Sequence, residues 1–403
     1  MSEPRGGRGD RDPSLLKSRL LLIGMVVLGI FLFITSLEGV KASFKLIFAE
    51  WQRGILAMVS AQTAPVTGLA IGILGTSLVQ SSSAVVAATM VSMSGMVAAG
   101  LPLVSAIRFG VPIVLGANLG TTITNTIVVF GLRRGITDEE FRSTIPGVIV
   151  DDVYEVLTIT IFFALEITMG LLSRIVLALG DFYDRVLGFQ GLFSAFERSI
   201  IDILIKEPIT KPTTHLITGL LGQRIGGVLL FIIWFLLIVA ALSLIEKGLD
   251  KVVEAGWEDK VTAAFQNPVR GFLTGFTITW IVGSSSIGTS LVVPFLATRL
   301  VDLERAYPYL VGCNVATTLD LSQIYGYFAG GLVGMMLGSA HVILNILAFL
   351  LFFVSPLRIL PIRIAEELGR RMVRSRHAGL ELLFWVILVF FIIPILIIYL
   401  SGG

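Results

Sequence analysis

The chain has 403 residues, 55% of hydrophobic type and only 14% charged. Soluble globular domains carry roughly a quarter charged residues, so a wholly soluble protein is excluded, and the formal net charge of +2 supplies no bulk field for holding nucleic acid. The single cysteine, Cys313, excludes an internal disulfide and any multi-cysteine metal site, and His215, His341 and His377 lie far apart without ligand spacing.

In chain order, residues 1–14 (MSEPRGGRGDRDPS) are polar, Gly-rich and basic, and read as a disordered tail. Apolar runs of roughly 20 residues can span a bilayer; the cleanest are Leu20–Thr35, Gly226–Leu244, Leu332–Val354 and Leu380–Leu400. The first has no small-residue cleavage site and reads as a retained helix. VQSSSAVV (Val79–Val86) then interrupts an apolar stretch with three hydroxyls. Its flanks, Ala64–Val79 and Ala84–Ala99, are short for two full crossings. A re-entrant hairpin over about 62–99 is expected, with Ser81, Ser82 and Ser83 at its tip. GVPIVLGANLGTTITN (Gly110–Asn125) follows, and its weak helix formers predict a helix over about 101–132 that breaks at the Gly-x-Asn segment. A helix near 145–172 carries Asp152 and Glu155 on one face, and a mixed-charge external linker is expected over 173–225. IVGSSSIG (Ile281–Gly288) sits in a second hairpin over about 268–300, and AYPYLVGCNVATTLD (Ala306–Asp320) in a second broken helix over about 304–329. A helix at 331–355, a basic cytoplasmic segment at 356–377 and a final transmembrane helix in 378–403 complete the chain.

Two motifs recur in the same order. Gly-x-Asn-x-x-Thr-Thr occurs at Gly116–Thr122 and Gly312–Thr318, each after a Ser triplet, and Pro112 and Pro308 each lie six residues before the asparagine. The chain therefore reads as a duplicated unit, 15–172 and 226–355. Basic residues set the orientation. Arg5, Arg8, Arg11, Lys17 and Arg19 place the N-terminus in the cytoplasm. Arg133, Arg134 and Arg142, then Lys247, Lys251, Lys260 and Arg270, then Arg358 to Arg376 fall inside as well. Three crossings in the first unit leave the second inverted. The expected fold is an all-α polytopic membrane protein of two inverted-topology repeats, each with a re-entrant helical hairpin and a broken transmembrane helix.

Inverted repeats with broken helices are the plan of secondary transporters, with substrate at the repeat interface. Backbone N–H groups at a half-helix start favour an anion, and hydroxyls add donors without fixed charge. Ser81, Ser82, Ser83 and Ser284, Ser285, Ser286 are expected to face one another around an anion. Carbonyl, hydroxyl and amide oxygens beside the breaks, from Gln80, Asn118, Thr121, Thr122, Asn314, Thr317 and Thr318, are candidates for Na⁺. Plainer roles stand beside these. One Ser triplet is ordinarily helix-packing glue, the asparagines can bond across helices, Asp152 and Glu155 can be solvated at the interface, Arg108 can snorkel, and His341 can be a packed, hydrogen-bonded residue.

The QSSS hairpin, the GANLGTTITNT break, their inverted duplication and His341-x-x-x-Asn345 resemble the type II sodium-dependent phosphate cotransporter family, here as a bacterial homologue, over roughly Leu20–Val354. The second unit departs from the family pattern. Gly283 stands where the family has Gln, and Cys313 and Ala316 intrude in its G-S-N-I-G-T-T. The resemblance implies Na⁺-coupled import of inorganic phosphate by alternating access, with phosphate between the Ser triplets. It places Asp152 on an aspartate that marks charge-moving family members, making it a candidate cation ligand, while Glu155 replaces an asparagine. No catalytic residue or cofactor is implied beyond Na⁺ as coupling ion. The expected partners are phosphate, Na⁺ and the lipid bilayer of the cell's inner membrane, and a homodimer is left open. Carriage of another small oxyanion or a dicarboxylate, a passive channel, and a serine-nucleophile enzyme are the competing readings. The last lacks a Gly-x-Ser-x-Gly elbow and a base to activate the serine.

Overall fold

The structure is a computed structural model describing residues 21–32, 35–46 with short gaps, 65–98, 102–182 except 181, 202–254, 263–282 except 264, 284–319, 323–327 except 325, and 331–401. The N-terminal tail, the linker residues 183–201 and Gly283 lie outside them. Every regular element among the described residues is a helix, as the composition demands of a chain whose backbone groups must be satisfied within lipid.

Helix α1 spans Leu21–Leu32. Helices α2 (Pro65–Val79) and α3 (Ser82–Ala98) are separated by two residues. Gln80 makes that turn in the left-handed region, φ 57, and its N–H closes α2 on the Thr76 carbonyl at 2.7 Å. Left-handed geometry at a non-glycine is uncommon and needs surrounding support. Helices α4 (Leu103–Gly120) and α5 (Ile123–Leu132) follow, together one apolar stretch of 30 residues. Helix α6 (Asp138–Met169) opens on a reciprocal cap between Thr137 and Glu140. It ends at left-handed Gly170, where the chain bends 69° into α7 (Leu171–Ala178). Helix α8 (Lys211–Glu254), led in by π-helical Asp202–Thr210 and kinked at Gly222, begins inside the stretch expected to be a loop. Helices α9 (Pro268–Val282), α10 (Ser285–Ala297), α11 (Leu303–Thr317), α12 (Gly331–Phe349, running on through Leu350–Val354), α13 (Ile359–Arg374) and α14 (Ala378–Leu400) complete the order.

Among the described residues, Leu103–Leu132, Gly331–Val354 and Ala378–Leu400 are long and apolar enough to cross a membrane, and the bent pair α6–α7 adds a fourth when counted as one span. The protein is an all-α, multi-pass membrane protein. Its last helix keeps lipid-ready side chains outward, with Leu380 and Phe384 more than half exposed, while α4 is almost entirely buried.

One packing contact is repeated. A Cβ on Gly116 of α4 would strike the Leu69 carbonyl of α2, and one on Gly72 would strike the Ile113 carbonyl. In the second half a Cβ on Gly312 of α11 would strike the Phe272 carbonyl of α9, and one on Gly275 the Tyr309 carbonyl. Pro112 and Pro308 lie inside their helices, each 3.3 Å from where a Cβ on Gly68 or Gly271 would sit. Small residues let backbones approach where lipid offers no hydrophobic drive between helices. Within the expected broken helices, Gly116 and Gly312 are points of close helix contact. The first interruption comes later, at Thr121–Thr122, and the backbone there stays right-handed helical (φ −74 and −67). It tightens into i→i+3 bonds, Thr121 N–H to Asn118 O at 3.3 Å and Thr122 N–H to Leu119 O at 3.2 Å. The backbone amides are thereby spent inside the helix, and no unwound segment opens at Asn118.

Candidate functional site

One hydrogen bond joins the turns that carry the two Ser triplets. Helix α3 begins at Ser82 and α10 at Ser285, with Ser284 capping α10 by accepting from the Ile287 N–H. The Ser286 hydroxyl donates to the Gln80 carbonyl at 3.1 Å, and the Ser290 hydroxyl to the Ser286 carbonyl at 2.5 Å. Gln80 itself is anchored at both ends, donating to the Ser77 carbonyl and accepting from the Thr124 hydroxyl at 2.8 Å. That anchoring is what holds its left-handed turn. Ser82, Ser83, Ser284, Ser285 and Ser286 are all buried, and Ser81 is partly so. Gln323 reaches the Ser83 carbonyl at 3.4 Å.

The next residue of α5 leads to the carboxylates. Asn125 donates to Asp151 Oδ2 at 3.1 Å, and Asn314 of α11 donates to Asp151 Oδ1 at 2.8 Å. Asp151 thus joins the motif helices of both halves. One turn further along α6, Glu155 accepts from Asn118 Nδ2 at 3.0 Å. Asn118 also accepts from His341 Nε2 at 2.8 Å, with that ring nitrogen as donor, and pairs with the Asn345 amide at 3.3 Å. Asp152 faces differently, toward the Thr122 hydroxyl and Trp385 Nε1 (3.3 Å) of the last helix. Asp151, Asp152 and Glu155 are essentially inaccessible. Interface solvation of Asp152 and Glu155 is therefore excluded, whereas the packed role for His341 is what the structure contains.

Three carboxylates within five residues of one buried helix receive only amide, hydroxyl and indole hydrogens among the described contacts. Glu155 Oε1, Asp152 Oδ1 and Asn125 Oδ1 are buried without a protein partner. Buried charge without compensation is expensive, and the arrangement offers oxygen atoms to a cation. The threonines fit the same chemistry. Thr121 donates to the Ala117 carbonyl, Thr122 to Leu119, Thr317 to Cys313 and Thr318 to Val315. The hydroxyl hydrogens of Thr121, Thr317 and Thr318 are spent on backbone carbonyls of their own segments, leaving oxygen lone pairs free to accept, while that of Thr122 lies between Leu119 and Asp152.

Of the sequence candidates, the structure gathers Gln80, Asn118, Thr122, Asp152, Asn314 and Ser286 around α5 and α6, while the side chains of Thr121, Thr317 and Thr318 donate within their own segments and the Thr318 carbonyl accepts from Tyr327. Sequence reasoning missed Asp151 and Asn125. The signal for Asp151 was its offset of four from Glu155, which puts both on one helical face; Asp152, three before Glu155, was chosen instead. The signal for Asn125 was its place at the end of the repeated TTITN.

Comparison with known proteins adds an independent finding. The family described as Na⁺/Pi-cotransporter matches residues 32–195 and 237–373. The chain is 27% identical to sodium-dependent phosphate transport protein 2A of Ovis aries, over 95% of this chain and 68% of that protein. It is 28% identical to the 2A protein of Oryctolagus cuniculus (94% and 67%) and 25% identical to sodium-dependent phosphate transport protein 2B of Homo sapiens (95% and 65%). No solved structure matches.

Proposed function

We propose, for a chain that belongs to the Na⁺/Pi-cotransporter family, that the joined serine turns form the phosphate pocket of a Na⁺-coupled importer and that the α6 carboxylates hold its sodium. The chain imports inorganic phosphate with Na⁺ and is not an enzyme. The observation that carries the site is the Ser286–Gln80 bond, which puts the start of α10 against the α2–α3 turn with only neutral donors between them. A neutral lining suits cargo that must leave again, since desolvated hydroxyls and amides hold an anion without the grip of a fixed cation.

The glycine contacts of α2 on α4 and of α9 on α11 support two repeats of one plan, in inverted orientation, with α2–α3 and α9–α10 as re-entrant hairpins. Alternating access then moves the repeats about the shared pocket. Gln80, Asn118, Thr121, Thr122, Asp152, Asn314, Thr317 and Thr318, now joined by Asp151 and Asn125, are the sodium candidates. On this reading the N-terminus lies on the cytoplasmic side of an inner membrane, and a homodimer is compatible with the exposed apolar helices. Uptake of [³²P]phosphate into proteoliposomes, with and without an inward Na⁺ gradient, tests the coupling. Competition by arsenate, sulfate and succinate separates phosphate from the other oxyanions and dicarboxylates; arsenate alone is expected to compete.

A further inference from the structure

Away from the pocket, at the end of the bundle where α2 and α4 begin and α6 turns into α7, lies a cleft of about 290 Å³ lined by Arg108, Arg174, Glu166 and the Gly170 bend. Glu166 is buried and fully engaged. Its carboxylate accepts from the Leu172 N–H at 2.8 Å, the Ser173 N–H at 3.2 Å and the Ser173 hydroxyl. It therefore serves the start of α7 and makes no direct ion pair with either arginine among the described residues. Arg108 and Arg174 are both exposed, and neither forms an ion pair among the described residues. Arg174 lies beside the bend, its Nε 3.8 Å from where a Cβ on Gly170 would be, and the bend's left-handed φ of 64 is what favours glycine there.

The surroundings make two guanidiniums without an ion pair among the described residues unusual. Arg108 stands in the second turn of α4, about 7.5 Å along its axis at 1.5 Å per residue, on a helix that is otherwise nearly all buried. Ile167 and Met169 on the cleft's shoulder are 52% and 47% exposed, a surface suited to acyl chains. A guanidinium at the edge of hydrocarbon needs an anion or water, and its planar fork matches phosphate oxygens. Basic pockets between membrane helices bind phosphate-bearing head groups in this manner.

We propose that this cleft is a second phosphate-group site, separate from the transport pocket, in which Arg108 and Arg174 together clamp the oxygens of one phosphate. The phosphate belongs either to an anionic phospholipid head group or to free inorganic phosphate.

The test uses full-length protein and the R108Q/R174Q double variant. In the lipid arm, native mass spectrometry counts phosphatidylglycerol retained after purification, and thermal stability is compared in phosphatidylglycerol and phosphatidylcholine nanodiscs. The wild type is expected to retain the anionic lipid and to melt several degrees higher in phosphatidylglycerol, with at least a tenfold loss of retention in the variant. In the second arm, [³²P]phosphate binding is measured in phosphatidylcholine nanodiscs without Na⁺; binding that the variant loses assigns the site to the free ion. If the glutamine pair does not fold, R108K/R174K keeps the charge but loses the fork, and a severalfold weaker retention is expected. Equal lipid retention and equal phosphate binding in wild type and variant overturn the proposal. Na⁺-driven uptake by the wild type stays intact in that case, so its loss would instead count against the transport reading.

Discussion

Asn314 donates to Asp151 across 2.8 Å, although 163 positions separate them in the chain. With Asn125 on the other oxygen of the same carboxylate at 3.1 Å, Asp151 ties α5, α6 and α11 into one assembly. Removing that carboxylate leaves two buried amide donors without acceptors, each costing about 1–3 kcal/mol. Asp151→Ala is expected to lower the melting temperature in detergent markedly and to abolish uptake. Asp151→Asn keeps an acceptor oxygen and the shape, so it is expected to fold better than the alanine variant while weakening Na⁺ dependence. Equal stability of wild type and Asp151→Ala would deny the bridge.

The glycine contacts between helices give a second expectation. Gly116→Ala and Gly312→Ala drive a methyl group into a backbone carbonyl of the neighbouring helix, an overpacking that costs about 1–3 kcal/mol or more. Gly219→Ala, whose Cβ would meet nothing within 4 Å, is the matched control and is expected to be neutral or slightly stabilising. Thermal unfolding in one detergent orders the three.

The start of α6 predicts a pH effect outside the membrane. The Thr137 backbone N–H and hydroxyl both donate to Glu140, at 2.7 Å each, and hold its carboxyl below the usual carboxylate range. A depressed carboxyl stabilises the folded state above its unfolded pKa and loses that contribution as pH falls through the folded value. The cap is therefore fully present at neutral pH and fades below about pH 4.5, the ordinary glutamate value. Thr137→Ala is expected to cost about 1 kcal/mol at pH 7, and the gap from wild type should narrow in acid.

Arg142 donates to the carbonyls of Val373 and Ser375, fastening the end of α13 to α6, where Gly369 packs on Pro146. Arg142→Ala is expected to loosen the 375–377 turn and to speed limited trypsin digestion at Arg374 and Arg376 relative to the wild type. Identical digestion patterns would show that the packing of α13 on α6 suffices.

Much of this molecule was legible before any coordinates. Length and apolarity alone located α12 and α14, because a run with no charge has few alternatives in a membrane. The Ser triplets and the paired Asn motifs pointed to elements that do meet. What failed has a common cause. A Gly-rich motif reads as a break by propensity, but Gly116 and Gly312 are there to admit a neighbouring backbone, a tertiary demand invisible in local preference. The place of Asp151 beside Asp152 was hidden for the same reason. Adjacent aspartates differ by about 100° around a helix, and only the positions of Asn125 and Asn314 decide which one is shared. The role of Trp385 at Asp152 lay beyond the repeated motifs, on a helix that composition marked only as a span.

The most direct measurement is Na⁺-driven [³²P]phosphate uptake into proteoliposomes by wild type, Ser82→Ala and Ser285→Ala, with Asp152→Asn beside them and correct folding checked by melting. Wild type should accumulate phosphate only under an inward Na⁺ gradient, both serine variants should lose at least tenfold in uptake, and Asp152→Asn should shift Na⁺ affinity or charge movement. Serine variants that carry phosphate with wild-type KM, or wild-type uptake indifferent to Na⁺, would contradict the account.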